Sequence, residues 1–275
     1  MTLRAETRAL VLVVSAALLA AAASAGEPPA KCQAGSAQAT EPPRTLSPAE
    51  AEERRRKDER ENEKAARECI AMFNKELAET KSTYEIAGLV LRHLDVRHSL
   101  IRDRLVQLLK GPGDDAIHAA SVDALVKIDD PRCVPVLNET LMTRLRRPQE
   151  TPRTCGALLA AIGHFRSPSS VPVLVKALHL NDNGTTAAAC RIAPRIPELA
   201  VVEELVKLLH ESELPDYGAA GVGGVNSRKD LREPALKALK AATRKAFATA
   251  KDWRAWWDEN RATYKPGGAT AVANK

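Results

Sequence analysis

The sequence predicts an all-α fold in which pairs of helices stack on one another. The first observation is a repeated phrase, because residues 130–137 return as residues 167–174, shifted by 37 positions. A shorter form without the prolines returns at residues 202–205. The second observation is composition: aromatic residues make up only 3% of the chain, whereas Ala, Leu and Val abound. Small aliphatic residues favour close helix packing over a sheet core, and a helical phrase at this period is typical of stacked helix hairpins.

The first 25 residues predict an export signal and not a part of the fold. Arg4 and Arg8 supply a basic start, residues 9–23 are apolar except for one serine, and Ala23-Ser24-Ala25 fits a cleavage site. The apolar run of about 15 residues is shorter than the roughly 20 that a membrane-spanning helix needs. We therefore expect a periplasmic or secreted protein, cleaved near Ala25, with no transmembrane segment in the mature chain.

A linker and a charged helix follow the predicted signal. Residues 26–46 are rich in Pro, Ala, Gly and Ser, which predicts a flexible linker. Residues 47–80 predict a charged helix that leads into the first repeat. Ser47, Pro48 and Glu50 fit the cap, the first turn and a capping box. We expect this helix to be solvent-exposed until it reaches the core near a group of apolar residues: Cys69, Ile70, Met72, Phe73 and Leu77.

Residues 82–246 predict the repeats themselves. The predicted helix pairs are 66–80 with 82–94, 98–110 with 114–128, 132–146 with 152–165, 168–179 with 184–196, and 198–211 with 228–246. Apolar residues within a first helix, such as Val134, Leu137 and Leu141, are spaced three and four apart and form one stripe. A single helix pair cannot cover that stripe, so neighbouring pairs are expected to bury it.

Two prolines inside the repeated phrase need a specific local structure. Proline in the interior of a helix costs about 3 kcal/mol because it removes a hydrogen-bond donor and clashes with the preceding turn. We predict short turns at residues 131–133 and 168–170. Pro135 and Pro172 would then lie in the first turn of the helices that follow, where no donor is lost.

The C-terminal part of the chain predicts a capping helix at residues 250–262 and a disordered tail at 263–275. All three tryptophans lie in this helix, at positions that share one helical face: Trp253, Trp256 and Trp257. A stack of repeats needs a terminal cap over its last apolar face, and these residues can supply it. Alternatively, aromatic residues among Arg and Lys can stack on glycans or single-stranded nucleic acid. Export makes nucleic acid the poorer partner.

The repeated phrase also resembles a known repeat family. Asp130-Pro131-Arg132, followed by Val134-Pro135 and Leu137 on a period of a little over thirty residues, resembles the HEAT-like, armadillo-like repeats of the phycobilisome-lyase type. The resemblance covers roughly residues 82–245 and implies a right-handed α-α superhelix (an α-solenoid) of a type found in exported bacterial proteins. It carries no shared catalytic residues, and nothing in the chain points to a bilin, so it does not imply lyase activity here.

Internal alignment reveals a set of equivalent cations, here named the cation series. They lie near the ends of successive second helices: His93, Lys127, His164 and Arg195. Cations at these positions gain about 0.3–1 kcal/mol from the helix dipole, which is a purely structural explanation. The functional alternative is a basic line along one edge of the stack that receives an acidic segment of a partner. The sequence leaves both interpretations open.

The motifs that would indicate catalysis, a cofactor or a metal are weak, and we predict none of the three. The spacing of His93, Asp95 and His98 does not place metal ligands on one helical face. The glycine-rich residues 218–224 lack the Gly-Lys-Ser/Thr ending of a phosphate loop and predict a flexible loop of open function.

Cysteine usage leaves the pairing open. The chain holds five cysteines: Cys32, Cys69, Cys133, Cys155 and Cys190. An odd count leaves at least one thiol unpaired. The helical cysteines are interpreted as small buried hydrophobes, with a disulfide between neighbouring repeats as the alternative.

The charge distribution separates the functional hypotheses. Residues 228–265 hold eleven Lys or Arg against five Asp or Glu, which equals the net charge of +6 of the whole chain. We expect a noncatalytic exported scaffold that binds another protein along its second helices. The alternative is a module that binds an acidic glycan or another anionic envelope polymer through residues 228–265. A lyase-like enzyme or enzyme subunit is the third hypothesis.

Overall fold

The computed structural model describes residues 47–94, 96–214 and 228–265. Those residues form eleven α-helices and five short 3-10 helices, without a β-strand, so the all-α prediction is confirmed for them. Several predicted features lie outside the described residues: the export signal 1–25, the linker 26–46 with Cys32, Asp95, the glycine-rich loop 218–224, and the tail beyond residue 265.

The helices follow the predicted order, and their bounds are close to the predicted ones. In chain order they are α1 (Pro48–Glu79), α2 (Thr83–His93), α3 (Ser99–Lys110), α4 (Asp115–Ile128), α5 (Val134–Arg144), α6 (Pro152–Phe165), α7 (Val171–Leu178), α8 (Asn183–Ile192), α9 (Leu199–Glu213), α10 (Arg232–Thr243) and α11 (Ala250–Asn260). Short polar side chains begin several of them, since Asp114 and Asp182 accept hydrogen bonds from backbone N–H groups in the first turns of α4 and α8.

The two prolines of the repeated phrase lie where the sequence predicts them. Short 3-10 helices occupy Pro131–Cys133 and Pro168–Ser170, directly before α5 and α7. Pro135 and Pro172 therefore fall in the first turn of each α-helix, where the missing donor costs no intrahelical hydrogen bond.

The helices of residues 48–260 pack in two layers. The helices of each pair, from α1 with α2 to α9 with α10, contact one another, and each helix also contacts the one two positions further along the chain. We name the contacting series α2, α4, α6, α8 and α10 the even layer, and the series α1, α3, α5, α7, α9 and α11 the odd layer. Helices of the even layer from α2 to α8 contact one another extensively, whereas α3, α5 and α7 touch only sparsely.

One hydrophobic core runs between the two layers. Leu137, Leu174 and Leu205 occupy equivalent positions in α5, α7 and α9, and each side chain is fully buried. The core extends from Ala66 in α1 to Trp257 in α11. The apolar stripe of each helix is thus covered by neighbouring helices and not by its own hairpin partner alone.

The charged helix α1 is exposed in its first half and enters the core later. Residues 53–62 are all exposed, and Ala66 and Phe73 are the first fully buried side chains. The prediction that Met72 joins the core is wrong, because its side chain is 48% exposed. Successive helical residues are separated by about 100°, so the turn that buries Phe73 places Met72 on the flank.

Two aspartates link successive helix pairs through hydrogen bonds. Asp115, at the start of α4, accepts from the backbone N–H of Arg153 at 2.9 Å and of Thr154 at 2.8 Å, and so caps α6. Burial alone would raise the pKa of Asp115, but these hydrogen bonds outweigh it and lower the pKa. Asp130 accepts from Arg102 at 2.8 Å, across the boundary between pairs. Hydrogen bonds from Arg132 hold the pKa of Asp130 well below its usual range.

The four cysteines within the described ranges are unpaired thiols. Cys133, Cys155 and Cys190 are buried and Cys69 is half-buried. Burial raises the pKa of Cys133 to about 11 and that of Cys190 to about 12. At neutral pH these side chains remain uncharged thiols, which confirms their interpretation as small buried hydrophobes.

Candidate interaction surface

Two glycines stand in helix interiors on the exposed face of the even layer. Gly88 in α2 and Gly156 in α6 are both exposed, and a Cβ atom placed on either would meet nothing within 4 Å. Glycine in the interior of a helix is less favourable than alanine by about 0.8–1.0 kcal/mol. Packing within the described part of the chain gives no reason for this cost.

Exposed apolar side chains accompany the first of these glycines. Tyr84 is 70% exposed and Leu91 is 36% exposed, and both lie on the same face of α2 as Gly88. The guanidinium of Arg153, at the start of α6, lies 5.5 Å from the centre of the Tyr84 ring. Because α4 lies between α2 and α6 in the even layer, this contact bridges two helices that are not neighbours.

Gly163, also in α6, has a different role. A Cβ atom at this position would lie 2.7 Å from Cγ2 of Ile192 and 3.3 Å from Cδ of Arg195. Gly163 is buried, and it permits the end of α8 and the following 3-10 helix to approach α6 closely. Close packing therefore explains Gly163, whereas no comparable contact explains Gly88 or Gly156.

The cation series divides into paired and unpaired members. His93 is half-buried, and its Nε2 lies 3.0 Å from Oε1 of Glu76, without hydrogen-bond geometry. The Nε2 atom of His164 lies 2.7 Å from Oδ1 of Asp129. Lys127 and Arg195 are exposed and form no ion pair with the described residues. Pairing with carboxylates thus accounts for two members of the series, and Lys127 and Arg195 remain without an ion pair among the described residues.

Three helices of the even layer end at residues with left-handed backbone. These residues are Asp129 after α4 (φ 57°), Arg166 after α6 (φ 50°) and Arg244 after α10 (φ 58°). Glycine or asparagine usually occupies this position because a larger side chain costs roughly 1–2 kcal/mol there. Asp129 binds His164, but Arg166 and Arg244 are exposed and form no ion pair within the described ranges.

The tryptophans of α11 face the chain itself. Trp253 is fully buried, Trp257 is 3% exposed, and Trp256 is half-buried. The indole N–H of Trp253 donates to the carbonyl of Phe247 at 3.2 Å, and the two rings meet edge to face at 5.0 Å. Glu213 at the end of α9 accepts from the first N–H of α11 at 3.1 Å. Two of the three indoles therefore lie within the core and cannot stack on a ligand.

The end of α9 and the outer face of α11 border an open groove of about 520 Å³. Its walls mix apolar and ionisable side chains, among them His210, Leu214, Lys251 and Arg254. Within the described ranges, no group of three or more His, Cys, Asp or Glu is placed to hold a metal ion. No helix of those ranges is both long and apolar enough to cross a membrane.

His118 in α4 is a buried histidine that the sequence analysis does not single out. Its Nδ1 lies 3.2 Å from a guanidinium nitrogen of Arg144, and its Nε2 lies 3.2 Å from the carbonyl of Gly111. Because arginine only donates, Nδ1 is the acceptor and Nε2 carries the proton. Burial lowers the pKa of His118, and the charge of Arg144 lowers it further, against the opposing hydrogen bond to Gly111.

We expect this histidine to make stability depend on pH. Below its ordinary pKa of 6.5, the unfolded chain binds a proton that the folded chain does not. Its contribution is therefore fully present above pH 6.5 and is lost as the pH falls below it, by at most about 1.4 kcal/mol per pH unit. Urea unfolding of the native protein and of the His118→Gln variant between pH 7.5 and 5 gives the free energy of unfolding as a function of pH. The difference between the slopes of the two curves measures the contribution of His118. Identical slopes would contradict it.

Comparison of the chain with models of known protein families and with curated proteins gives no match. Function is therefore inferred from the contacts and charges of the even layer. The residues that sequence reasoning overlooked are Gly88, Gly156 and His118. An isolated glycine inside an otherwise helical pattern is a recognisable signal, but only coordinates separate the open sites of Gly88 and Gly156 from the crowded site of Gly163.

Proposed function

We propose that this protein is a noncatalytic, exported scaffold that binds another protein along the even layer of a right-handed, HEAT-like solenoid. Support for the solenoid comes from the order of contacts, in which helix pairs meet their neighbours in two parallel series. Equivalent, fully buried leucines at positions 137, 174 and 205 support the same repeat. A stack of this kind presents one extended surface, and such surfaces bind partners over several repeats.

Curvature favours the even layer as the binding side. Its central helices pack tightly on one another, whereas α3, α5 and α7 are more widely separated. The side with the shorter spacing is the inner side of a curved stack. The contact between Arg153 of α6 and Tyr84 of α2, across α4, is consistent with that curvature. A partner lying along the even layer could thus contact several helices at once.

The single observation that carries the proposal is the pair of open glycines. Gly88 and Gly156 cost helix stability, and nothing in the described chain approaches them within 4 Å. Glycine is used where another backbone approaches closely, and a bound polypeptide would supply such an approach. Tyr84 and Leu91 would add apolar contact area beside Gly88.

Substitution at Gly156 tests the proposal by separating stability from binding. Gly156→Ala should raise the free energy of unfolding by roughly 0.5–1 kcal/mol, because alanine favours the helix and the space is open. The variant Gly156→Leu should fold as well as the native protein. Its affinity for a protein partner captured from the native envelope fraction should fall at least about tenfold, which corresponds to about 1.4 kcal/mol of binding free energy. Thermal unfolding and quantitative affinity capture give the two readouts.

A matched control isolates the surface from the mere presence of an extra leucine. Lys176 is exposed in α7 of the odd layer, so Lys176→Leu adds the same side chain on the opposite side. This variant should capture the partner as the native protein does. Undiminished capture by Gly156→Leu and by Gly88→Leu would refute binding along the even layer.

The alternative function, binding of an anionic envelope polymer through residues 228–265, has one observation in its favour. That segment carries the net charge of +6, and Lys237, Lys240 and Lys245 on it are exposed. Polymer binding of this kind should weaken steeply with ionic strength. Burial of Trp253 and Trp257 argues against the version in which all three tryptophans stack on sugar rings.

A further inference from the structure

We propose that the segment recognised by the even layer is acidic, and that its carboxylates are bound by a row of cations at the carboxyl ends of the even helices. This inference rests on the proposed function of the even layer. The row, here named the basic edge, consists of exposed cations that form no ion pair with the described residues: Lys127, Arg166, Arg191, Arg195 and Arg244.

The basic edge differs in its pairing from several other surface cations of the stack. Lys110 on α3 lies 3.1 Å from Glu139, and Lys207 on α9 lies 2.9 Å from Glu204. These two lysines thus have carboxylates supplied by the chain itself. Along the basic edge, Asp129 is occupied by His164 at 2.7 Å, and Asp123, one turn before Lys127, interacts with Lys127 electrostatically without forming an ion pair. The unbalanced positive charge therefore favours an acidic partner.

Packing at Gly163 brings cations of successive helices together. Because Gly163 has no side chain, Arg195 approaches α6 until its Cδ lies 3.3 Å from the place of the missing Cβ. Arg195 thereby lies beside the last turn of α6, which carries His164 and leads into Arg166. A cation of one repeat is thus brought against the carboxyl end of the preceding even helix.

Backbone geometry gives a second, independent argument. Arg166 and Arg244 hold left-handed φ angles of 50° and 58°, positions that glycine fills without strain. A cation could interact with the helix dipole equally well from the last regular turn. Arginine at these two positions is therefore not favoured by the backbone conformation, and no described residue pairs with its charge. We infer that this charge binds a ligand outside the chain.

Spacing and surroundings point to a polypeptide as the source of the carboxylates. Packed helices lie about 8–10 Å apart, and a chain in the polyproline II conformation advances about 3.1 Å per residue with three residues per turn. Acidic side chains at every third residue would therefore share one face and meet one cation per helix. The even layer also exposes apolar and small residues such as Leu91, Gly156 and Ala160. Leucine or alanine side chains of a peptide can cover these, whereas an anionic polysaccharide has none.

Peptides of defined charge test the inference on the native protein. The probe is a fluorescent 18-residue peptide that repeats Glu-Leu-Ala, and its reference repeats Gln-Leu-Ala. Fluorescence anisotropy at fixed ionic strength should show binding of the acidic peptide only. The double variant Arg166→Glu, Arg195→Glu should weaken that binding at least about tenfold. The control, Arg146→Glu with Lys176→Glu, makes the same change of net charge at exposed positions just after α5 and in α7 and should change that binding less than twofold.

A single substitution distinguishes a binding role from a structural one. Arg166→Gly removes the charge and relieves the left-handed backbone, so the melting temperature should rise while binding of the acidic peptide weakens severalfold. A residue kept only for stability would lower the melting temperature when removed. A fall in melting temperature together with unchanged peptide binding would overturn the inference.

The remaining outcomes are also decisive. The inference would be overturned if the two double variants weakened peptide binding equally. It would also be overturned, in favour of an anionic polymer, if the protein bound alginate but not the acidic peptide. If Gly156→Leu abolishes peptide binding but the double variant Arg166→Glu, Arg195→Glu does not, the proposed function stands and the preference for an acidic segment fails. If the reverse holds, the basic edge binds acidic segments and binding across the even layer fails.

Discussion

Replacing Trp253 by alanine should lower the free energy of unfolding by about 3–5 kcal/mol, the usual cost of removing a large buried aromatic side chain. Its side chain is fully buried, packs edge to face against Phe247, and donates a hydrogen bond to the carbonyl of that residue. The substitution leaves a cavity between α11 and α9 and an unpaired carbonyl. Urea unfolding followed by circular dichroism measures the loss, and tryptophan fluorescence reports whether α11 detaches first.

Trp256 provides the matched control because it lies in the same turn but is only half-buried. Trp256→Ala should cost clearly less than Trp253→Ala, and Trp257→Ala should resemble Trp253→Ala because Trp257 is 3% exposed. This order distinguishes a terminal cap from an aromatic binding platform. Equal melting temperatures for the native protein and for the double variant Trp256→Ala, Trp257→Ala would contradict the capping role.

Replacing Leu174 by alanine should cost about 2–5 kcal/mol, because the side chain is fully buried in α7 between the two layers. Leu137 and Leu205 are equally buried in α5 and α9, on either side of α7, so their alanine variants should cost similar amounts. Chemical unfolding at equilibrium gives each value. A cost below about 1 kcal/mol at any of the three positions would contradict an equivalent core in each repeat.

Pairs of these leucine variants test the stacking itself. In a linear stack, each repeat interacts mainly with its neighbours. The double variant of Leu137 and Leu205, which lie two odd-layer helices apart, should therefore show additive costs to within about 0.3–0.5 kcal/mol. Leu137 and Leu174, in contacting helices, should show a larger interaction energy. Equal coupling of both pairs would indicate a single globular core instead of a solenoid.

Local sequence signals predicted much of the fold. The repeated phrase carries its own boundaries, because proline is tolerated in the first turn of a helix but not in its interior. Pro131 and Pro168 accordingly open short 3-10 helices, and Pro135 and Pro172 lie where the sequence predicts them. The apolar stripe of each helix likewise identified the buried leucines from spacing alone.

Residues whose role depends on distant contacts were predicted less well. Met72 was expected in the core and is exposed, because helix orientation and not hydrophobicity selects the buried residues of α1. The cation series was predicted near the ends of successive second helices, and Arg195 lies in the 3-10 helix that follows α8. Its division into paired and unpaired members depends on Glu76 and Asp129, which belong to neighbouring helices. Pairing across repeats leaves no periodic trace in the sequence.

The sequence by itself determined the helices, their order and the leucine positions of the repeated phrase that face the core, since turn chemistry and a period of three to four residues are properties of each segment alone. Only the tertiary structure decided which surfaces remained uncovered. Gly88, Gly156 and Gly163 look alike along the chain, yet two face open space and the third meets Ile192. The physical reason is that close approach depends on how one helix lies against the next, which is set jointly by side chains of several repeats.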